Sequence, residues 1–315
     1  MTQATTASTT PAADSANIAP GWQWAPFWVL AFVALWPAPG VAEAVMVLGA
    51  LAAIARLLYV RFRGGGALLS AQAWALTSVL FFAYWVPELI ASVDALDRAR
   101  AFSETAVDLR YLPFLWLAAS AVADARGRRI TFGGLAVIVA VWTLDALVQV
   151  ASGTSPLFFA MDAANEAIRG RRLCEPNDYF LLDRLGGVLG PCNLKLGVLL
   201  ATLSPFALHA AGRRLGRWGW LLAAIAVGCV ILLAGSRASW ITFGLVLLLS
   251  GWRMLGWKRL FGVFAFGGAM LLVLTFVSPQ VHERVARTLD ALAADQAGVD
   301  SALSGRSRIW SAAWC

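Results

Sequence analysis

The three residues Gly235-Ser236-Arg237 place one positive charge between two apolar runs of the chain. The run before them covers residues 221–234, and the run after them, residues 238–250, reads ASWITFGLVLLLS. If both runs are membrane helices, Arg237 lies in a tight turn at a membrane surface and at the N-terminus of the second helix. A charge there is costly unless it has a function, and a helix N-terminus attracts anions through its dipole and unpaired N–H groups. The triplet therefore predicts an anion-binding site at one membrane face.

Composition indicates an integral membrane protein. Of the 315 residues, 60% are hydrophobic and 14% are charged, and the mean hydropathy is +0.71, whereas soluble domains carry about 25% charged residues. The 15 tryptophans are typical of rings anchored at both membrane interfaces. Residues 1–21 are polar and contain no Lys or Arg, unlike the start of a signal peptide. We expect them to form a disordered cytoplasmic tail.

Apolar segments predict an all-α polytopic fold, because only helices or closed barrels satisfy the backbone within a bilayer. Each segment is judged against the roughly 17–25 residues that a membrane-spanning helix needs. About nine segments between residues 22 and 277 are candidates, of which the first, fourth and eighth are short: 22–35, 41–60, 67–90, 111–123, 130–150, 194–211, 218–234, 238–251 and 260–277.

Basic residues predict the orientation of these spans. Four alternate connections carry three basic residues each: Arg56, Arg61 and Arg63; Arg126, Arg128 and Arg129; Arg213, Arg214 and Arg217; and Arg253, Lys258 and Arg259. The positive-inside rule assigns these connections to the cytoplasm. Loops 91–110 and 151–193, the turn at Arg237 and residues 278–315 are then outside.

Four ionisable residues fall in the outer part of their predicted spans: Glu43, Glu88, Asp145 and Lys195. A proton relay or an ion pathway would need charges distributed through the membrane depth. The shared position of the four residues favours a polar cavity open to the outer face. The alternative is that each side chain reaches the nearby interface by itself.

Cysteine, histidine and glycine patterns narrow the chemistry. Cys174 and Cys192 share one predicted outer loop and could form a disulfide in an oxidising compartment, although their spacing does not decide this. The sequence has no Cys/His spacing of a metal site, no nucleotide-binding loop and no nucleophile elbow. We therefore predict no metal, no other cofactor and no nucleic-acid partner.

Three stretches, in chain order, resemble elements of the O-antigen ligase and polymerase superfamily of bacterial envelopes. Residues 190–195 (GPCNLK) are similar to a Gly…Pro-Asn element before a helix, here with Cys192 between the proline and the asparagine. Residues 235–240 (GSRASW) resemble a Ser-Arg turn followed by a helix start with small and aromatic residues. Residues 304–310 (SGRSRIW) are similar to an Arg-Xaa-Xaa-Xaa-Trp element that follows a periplasmic helix.

The resemblance implies a multi-pass glycosyltransferase of the Gram-negative inner membrane, with a GT-C-like fold of usually about twelve spans. Such a ligase transfers O-antigen polysaccharide from undecaprenyl diphosphate to the lipid A-core oligosaccharide at the periplasmic face, in lipopolysaccharide biosynthesis. The enzyme is expected to be metal-independent and inverting, with membrane lipids around it. Arg237 and Arg306 match the family arginines thought to bind the diphosphate, and Lys195 and Arg308 are adjacent candidates.

The family's proposed catalytic base is a histidine beyond the Arg-Xaa-Xaa-Xaa-Trp element. The chain ends at Cys315, so the resemblance implies that this base lies beyond Cys315 and that residues 278–315 begin a periplasmic catalytic region, incomplete here.

Two other functions stay open at the level of sequence. An O-antigen polymerase or a related lipid-linked-glycan transferase would share the same motifs. A transporter or flippase of anionic lipid-linked solutes belongs to another class, but the sequence shows neither mid-membrane charges nor the internal repeats of many transporters.

Overall fold

The computed structural model describes residues 22–38, 40–63, 69–174 and 184–277, together with positions 282 and 286. These residues form α-helices and short 3-10 turns without any strand, which confirms the predicted all-α fold. The helices are α1 (Ala25–Ala34), α2 (Val41–Phe62), α3 (Ala71–Val93), α4 (Arg98–Val107), α5 (Tyr111–Ala121), α6 (Ala125–Ser152), α7 (Pro156–Arg169), α8 (Leu196–Ala234), α9 (Arg237–Leu255) and α10 (Trp257–Val277). The predicted tail 1–21 and the predicted region 278–315 lie outside the described residues, apart from positions 282 and 286.

Within the described ranges, five helices are long and apolar enough to cross a membrane: α2, α3, α6, α8 and α9. The protein is therefore a multi-pass membrane protein. The predicted spans 22–35 and 111–123 correspond to α1 and α5, which have only 10 and 11 residues. A helix of that length extends about 15–17 Å, which is about half of the hydrocarbon core of a bilayer. The predicted outer loops 91–110 and 151–193 contain α4 and α7, respectively.

The chain folds into two compact units, Met1–Trp142 and Thr143–Cys315. In the first unit, α1, α2 and α5 share a core that includes Met46, Ala53 and Leu117. The ring of Phe32 in α1 meets the ring of Phe114 in α5 edge-on, with centroids 4.9 Å apart. α4 is tied to α3 because Trp85 Nε1 donates to the carbonyl of Thr105 at 2.8 Å.

In the second unit, α8 is a hairpin of two antiparallel halves. Gly216 has φ 63° and ψ −149°, which breaks the helix between residues 196–215 and 217–234. A Cβ on Gly197 would lie 3.2 Å from Ala234 Cβ, although a straight helix of 39 residues would separate its ends by about 58 Å. The two halves agree with the predicted spans 194–211 and 218–234.

α9 packs beside both halves of α8, and glycines set the register. A Cβ on Gly197 would lie 2.9 Å from Ser239 Oγ, and one on Gly212 would lie 2.8 Å from Met254 Cε. Both pairs have the same sequence offset and run in the same direction, so the first half of α8 is parallel to α9. The second half is antiparallel to α9, because Trp240 Nε1 donates to the carbonyl of Ile231 at 3.2 Å while a Cβ on Gly228 would lie 3.1 Å from the Phe243 ring.

This three-segment bundle has two distinct ends. We call the end with residues 195–197 and 234–239 the Arg237 end, and the end with the break at Gly216 the Gly216 end. The Gly216 end also contains the α9–α10 junction at Gly256, where φ is 74°. It brings together two of the basic clusters, namely Arg213, Arg214 and Arg217 and Arg253, Lys258 and Arg259.

Candidate anion-binding site

The Arg237 end brings two helix N-termini side by side. Lys195 is the N-cap residue of α8, Ser236 is the N-cap residue of α9, and Arg237 is the first residue of α9. Gly235 ends α8 in the left-handed conformation, with φ 70°, so that α9 begins only two residues later. Two parallel helices thus direct the positive ends of their dipoles at one place.

Neither helix N-terminus of the site, at Lys195 or at Ser236, has a side-chain cap among the described residues. Ser239 Oγ instead donates to the carbonyl of Ser236 at 2.6 Å. Lys195 is exposed and Arg237 is half-buried. Two cationic side chains and two helix N-termini are a suitable arrangement for a multivalent anion such as a phosphate or a diphosphate.

Residues 184–195, which we call the cover segment, cross the Arg237 end. Leu185 N donates to the carbonyl of Leu233 at 3.4 Å, two residues before α8 ends at Gly235. A buried 3-10 turn follows at Gly187–Leu189. Asn193 Oδ1 then accepts from Lys195 N at 3.1 Å, just before α8 begins. The cover segment also brings the half-buried Arg184 to the end of α8.

The last turns of α6 anchor the cover segment and α7. Gln149 Oε1 accepts from Gly187 N at 2.7 Å. One turn earlier, Asp145 accepts from Ser155 Oγ at 2.6 Å and from Leu157 N at 2.9 Å, using a different oxygen for each bond. Asp145 is only 6% exposed. It does not line an open polar cavity as the sequence predicted, because it is a buried acceptor that fixes the start of α7.

Cys174 and Cys192 form a disulfide, with Cα atoms 5.8 Å apart, which resolves the alternative that the sequence left open. The bond joins the chain that follows α7 to the cover segment, three residues before Lys195. Gly190 reinforces this connection, because it has φ 76° and the ring of Phe158 occupies the space that a Cβ would need.

The structure assembles only part of the predicted site. Lys195 and Arg237 lie at the same end of the bundle, whereas Arg306 and Arg308 lie outside the described residues. Glu43 is exposed in the first turn of α2. Glu88 is half-buried in α3, and its Oε2 has no hydrogen-bond partner among the described residues. These two glutamates belong to the unit Met1–Trp142.

Histidine and metal chemistry are not found at the described part of this site. His209 is exposed in the first half of α8, about 20 Å along the helix from its N-terminus. Among the described residues, no group of three or more His, Cys, Asp or Glu side chains could hold a metal ion.

A cavity of about 460 Å³ in the first unit is apolar and is lined by Trp22, Trp24, Phe27, Trp28, Ala31, Val45 and Ala52.

The sequence predicted that a helix begins near Lys195, but not that this helix N-terminus lies beside that of α9. The parallel alignment of α8 and α9 depends on close contacts at Gly197 and Gly212, residues that are distant in sequence from their partners. The available signal was the pair of glycines on one helical face, fifteen residues apart. These two glycines indicate a helix contact only when the residues that face them are known.

Comparisons with known proteins match this part of the chain. The sequence model of a family described as O-Antigen ligase matches residues 221–315, which include Arg237, Arg306 and Arg308 but not Lys195. No curated protein and no solved structure matches the chain. The match supports a glycosyltransferase-like or ligase enzyme. Residues 221–315 are therefore similar to the O-antigen ligase family, in agreement with the resemblance of the sequence motifs.

Proposed function

We propose that this protein is an O-antigen ligase, which transfers O-antigen polysaccharide from undecaprenyl diphosphate to the lipid A-core oligosaccharide of lipopolysaccharide. One observation carries the proposal: the adjacent N-termini of α8 and α9 bring Lys195 and Arg237 to one end of the bundle, and Arg237 lies within residues 221–315, which match the O-antigen ligase family. A diphosphate is the anion that this family's substrates would bring to such a site.

The chemistry fits the charges of the site. Transfer breaks the bond between the anomeric carbon of the glycan and a diphosphate oxygen, and negative charge develops on the leaving diphosphate. Fixed cations and backbone N–H groups stabilise that charge as it forms, most strongly where water is scarce. Arg237 and Lys195 would serve this purpose without a metal ion. A single displacement by the acceptor hydroxyl would invert the anomeric centre.

Further groups must complete the reaction. The acceptor hydroxyl needs a positioned base, most often a histidine or a carboxylate. The family motif assigns diphosphate binding to Arg306 as well, with Arg308 as a neighbouring candidate.

The distribution of charge supports a periplasmic site in the inner membrane. Two predicted cytoplasmic clusters, around Gly216 and around Gly256, lie at the Gly216 end of the bundle. By the positive-inside rule this end faces the cytoplasm. Arg237 is at the opposite end of the same helices, where lipid-linked glycans would be presented.

Genetic deletion followed by electrophoresis of lipopolysaccharide tests the function. Loss of a ligase leaves lipid A-core without O-antigen, while polymerised O-antigen accumulates on undecaprenyl diphosphate. Loss of a polymerase would instead leave core with a single repeat unit. Unchanged band patterns would exclude both members of the superfamily.

Complementation of the deletion strain sharpens the test to one residue. We expect Arg237→Ala to restore no O-antigen bands on lipopolysaccharide, whereas Arg253→Ala should restore the normal series of bands. Both variants must insert into the membrane and accumulate equally. Arg253 is a matched control because it lies in the last turn of the same helix. The normal series of bands with Arg237→Ala would refute the diphosphate assignment.

A further inference from the structure

The Cys174–Cys192 disulfide is directly connected to the candidate anion site. Cys192 belongs to the cover segment and precedes Lys195 by three residues. Lys195 in turn occupies the N-cap position of α8, beside the first turn of α9, because Gly197 packs against Ser239. A displacement of Cys192 is therefore transmitted to Lys195 over a very short length of chain.

The other half of the bond is fixed in a rigid frame. Cys174 is 2% exposed. The residue before it, Leu173, donates its N–H to Asp162 Oδ1 of α7 at 2.6 Å, and Asn165 Nδ2 donates to the carbonyl of Arg171 at 2.7 Å. The chain after α7 thus folds back along the polar face of that helix.

This frame continues into α6. The start of α7 is held by the two hydrogen bonds to Asp145, and Ser155 Oγ also accepts from Phe158 N at 3.1 Å as the N-cap of α7. A continuous series of contacts therefore leads from the last turns of α6 through α7 to Cys174. The disulfide extends this series covalently to the cover segment.

The contacts that hold the cover segment differ along its length. Gly187 is held by Gln149, and Gly190 is packed against Phe158. Between Gly190 and α8 the backbone is held by local hydrogen bonds: Asn193 N donates to the carbonyl of Gly190 at 3.4 Å, and Lys195 N donates to Asn193 Oδ1. The disulfide joins this stretch covalently, through Cys192, to Cys174 after α7.

We propose that the Cys174–Cys192 disulfide is a positioning element of the anion site, which holds Lys195 beside Arg237 so that the site binds diphosphate tightly only when the bond is intact. This inference rests on the proposed diphosphate site. It adds a condition on that site: full affinity requires an oxidising compartment, such as the one outside the cytoplasmic membrane.

Binding of farnesyl diphosphate, a short prenyl diphosphate, to the full-length protein in detergent micelles tests the inference. Dithiothreitol reduces the bond by two successive thiol–disulfide exchanges, which yield two cysteine thiols and oxidised dithiothreitol. We expect reduction to weaken binding about tenfold, the scale of a lost hydrogen bond to a charged group. The variant Cys192→Ser should bind as weakly as the reduced protein, and Cys229→Ser, the matched control, should bind like the unmodified protein.

A second comparison separates positioning of Lys195 from a general effect on the fold. If the bond acts by placing Lys195, then Lys195→Ala should already be weakened, and reduction should change its affinity no further. An equal loss on reduction in Lys195→Ala and in the unmodified protein would overturn the inference. Loss of the helical circular-dichroism signal on reduction would also overturn it, because the bond would then support the whole fold.

Failure of this inference is distinguishable from failure of the proposed function. If Arg237→Ala abolishes binding but dithiothreitol leaves the unmodified protein unchanged, the anion site stands and the disulfide has no positioning role. If Arg237→Ala binds farnesyl diphosphate normally, the site itself is wrong, and this inference falls with it.

Discussion

The two ends of the α8–α9 bundle are both basic, and the two arginines at the ends of α9 meet opposite ends of the helix dipole. At the Gly216 end, Arg253 lies in the last turn of α9, where the negative end of the helix dipole stabilises a cation. At the Arg237 end, Lys195 and Arg237 lie at helix N-termini, where the dipole opposes a cation. Arg253 therefore stabilises its helix, whereas Arg237 weakens its own. An anion bound beside Arg237, as proposed, would offset that unfavourable position.

Charge reversal at the two ends of α9 gives the largest expected effects. Arg237→Glu should reduce glycan transfer by about 10²–10³-fold, as loss of a transition-state donor does. The same change should raise the stability of α9 by about 0.3–1 kcal/mol, because an acid suits a helix N-terminus. The Arg253→Glu variant should retain most of the transfer activity, and its α9 should be less stable by a similar free energy. Transfer assays and thermal unfolding in detergent measure both effects.

The critical outcome is that the two substitutions change the stability of α9 in opposite directions. If Arg237→Glu lowered stability by more than Arg253→Glu does, the dipole argument would be wrong, and Arg237 would be a structural residue of the bundle.

Asp145→Ala should produce the next largest effect, on stability. It leaves the Ser155 hydroxyl and the Leu157 N–H without their buried acceptor, at about 1–3 kcal/mol for each unsatisfied group. Thermal unfolding measures the change. Glu43→Gln is the control, because Glu43 was also predicted to face the outer cavity but is exposed. Equal small effects of the two variants would restore the view that Asp145 lines an open cavity.

Gly197→Ala should separate the two helix N-termini. The added Cβ would lie 2.9 Å from Ser239 Oγ and 3.2 Å from Ala234 Cβ, so the helices must move apart. Overpacking of this kind costs about 1–3 kcal/mol, and we expect diphosphate binding to weaken as well. Gly244→Ala in α9 is the matched control, because its Cβ would meet nothing within 4 Å. That control should be neutral or stabilise the helix by up to about 1 kcal/mol.

Lys195→Ala should have the smallest effect of the series. Its side chain is exposed, so solvent screens its charge more than that of the half-buried Arg237. Transfer should fall about tenfold, the scale of a single charged hydrogen bond. Lys258→Ala, at the Gly216 end, should leave transfer unchanged. An effect of Lys195→Ala larger than that of Arg237→Ala would reverse the roles assigned to the two residues.

The sequence was sufficient for the helical class, for the hairpin of α8 and for the turn at Arg237, because each depends on local hydrophobicity and on nearby glycines. It also predicted a resemblance to the O-antigen ligase family, which the match to residues 221–315 supports. Two of its spans, 22–35 and 111–123, are shorter helices than a crossing requires. Apolar composition alone does not reveal where a helix stops.

The remaining features depend on tertiary contacts. In the sequence, Asp145 was one of four similar ionisable residues near the outer face. Only its hydrogen bonds with Ser155 and Leu157 identify it as a buried residue that holds the start of α7. The closeness of Lys195 to the first turn of α9 follows from helix register, which no local pattern encodes. The roles assigned to Arg306 and Arg308 stay predictions, because both lie outside the described residues.

Direct binding of a prenyl diphosphate tests the central claim, that the paired helix N-termini with Arg237 form a diphosphate site. Isothermal titration of farnesyl diphosphate and of uncharged farnesol would be compared for the unmodified protein, Arg237→Ala and Arg253→Ala. We predict that farnesyl diphosphate binds the unmodified protein and Arg253→Ala equally, binds Arg237→Ala about tenfold or more weakly, and is not displaced by farnesol. Equal affinity of Arg237→Ala and the unmodified protein for farnesyl diphosphate would contradict the claim.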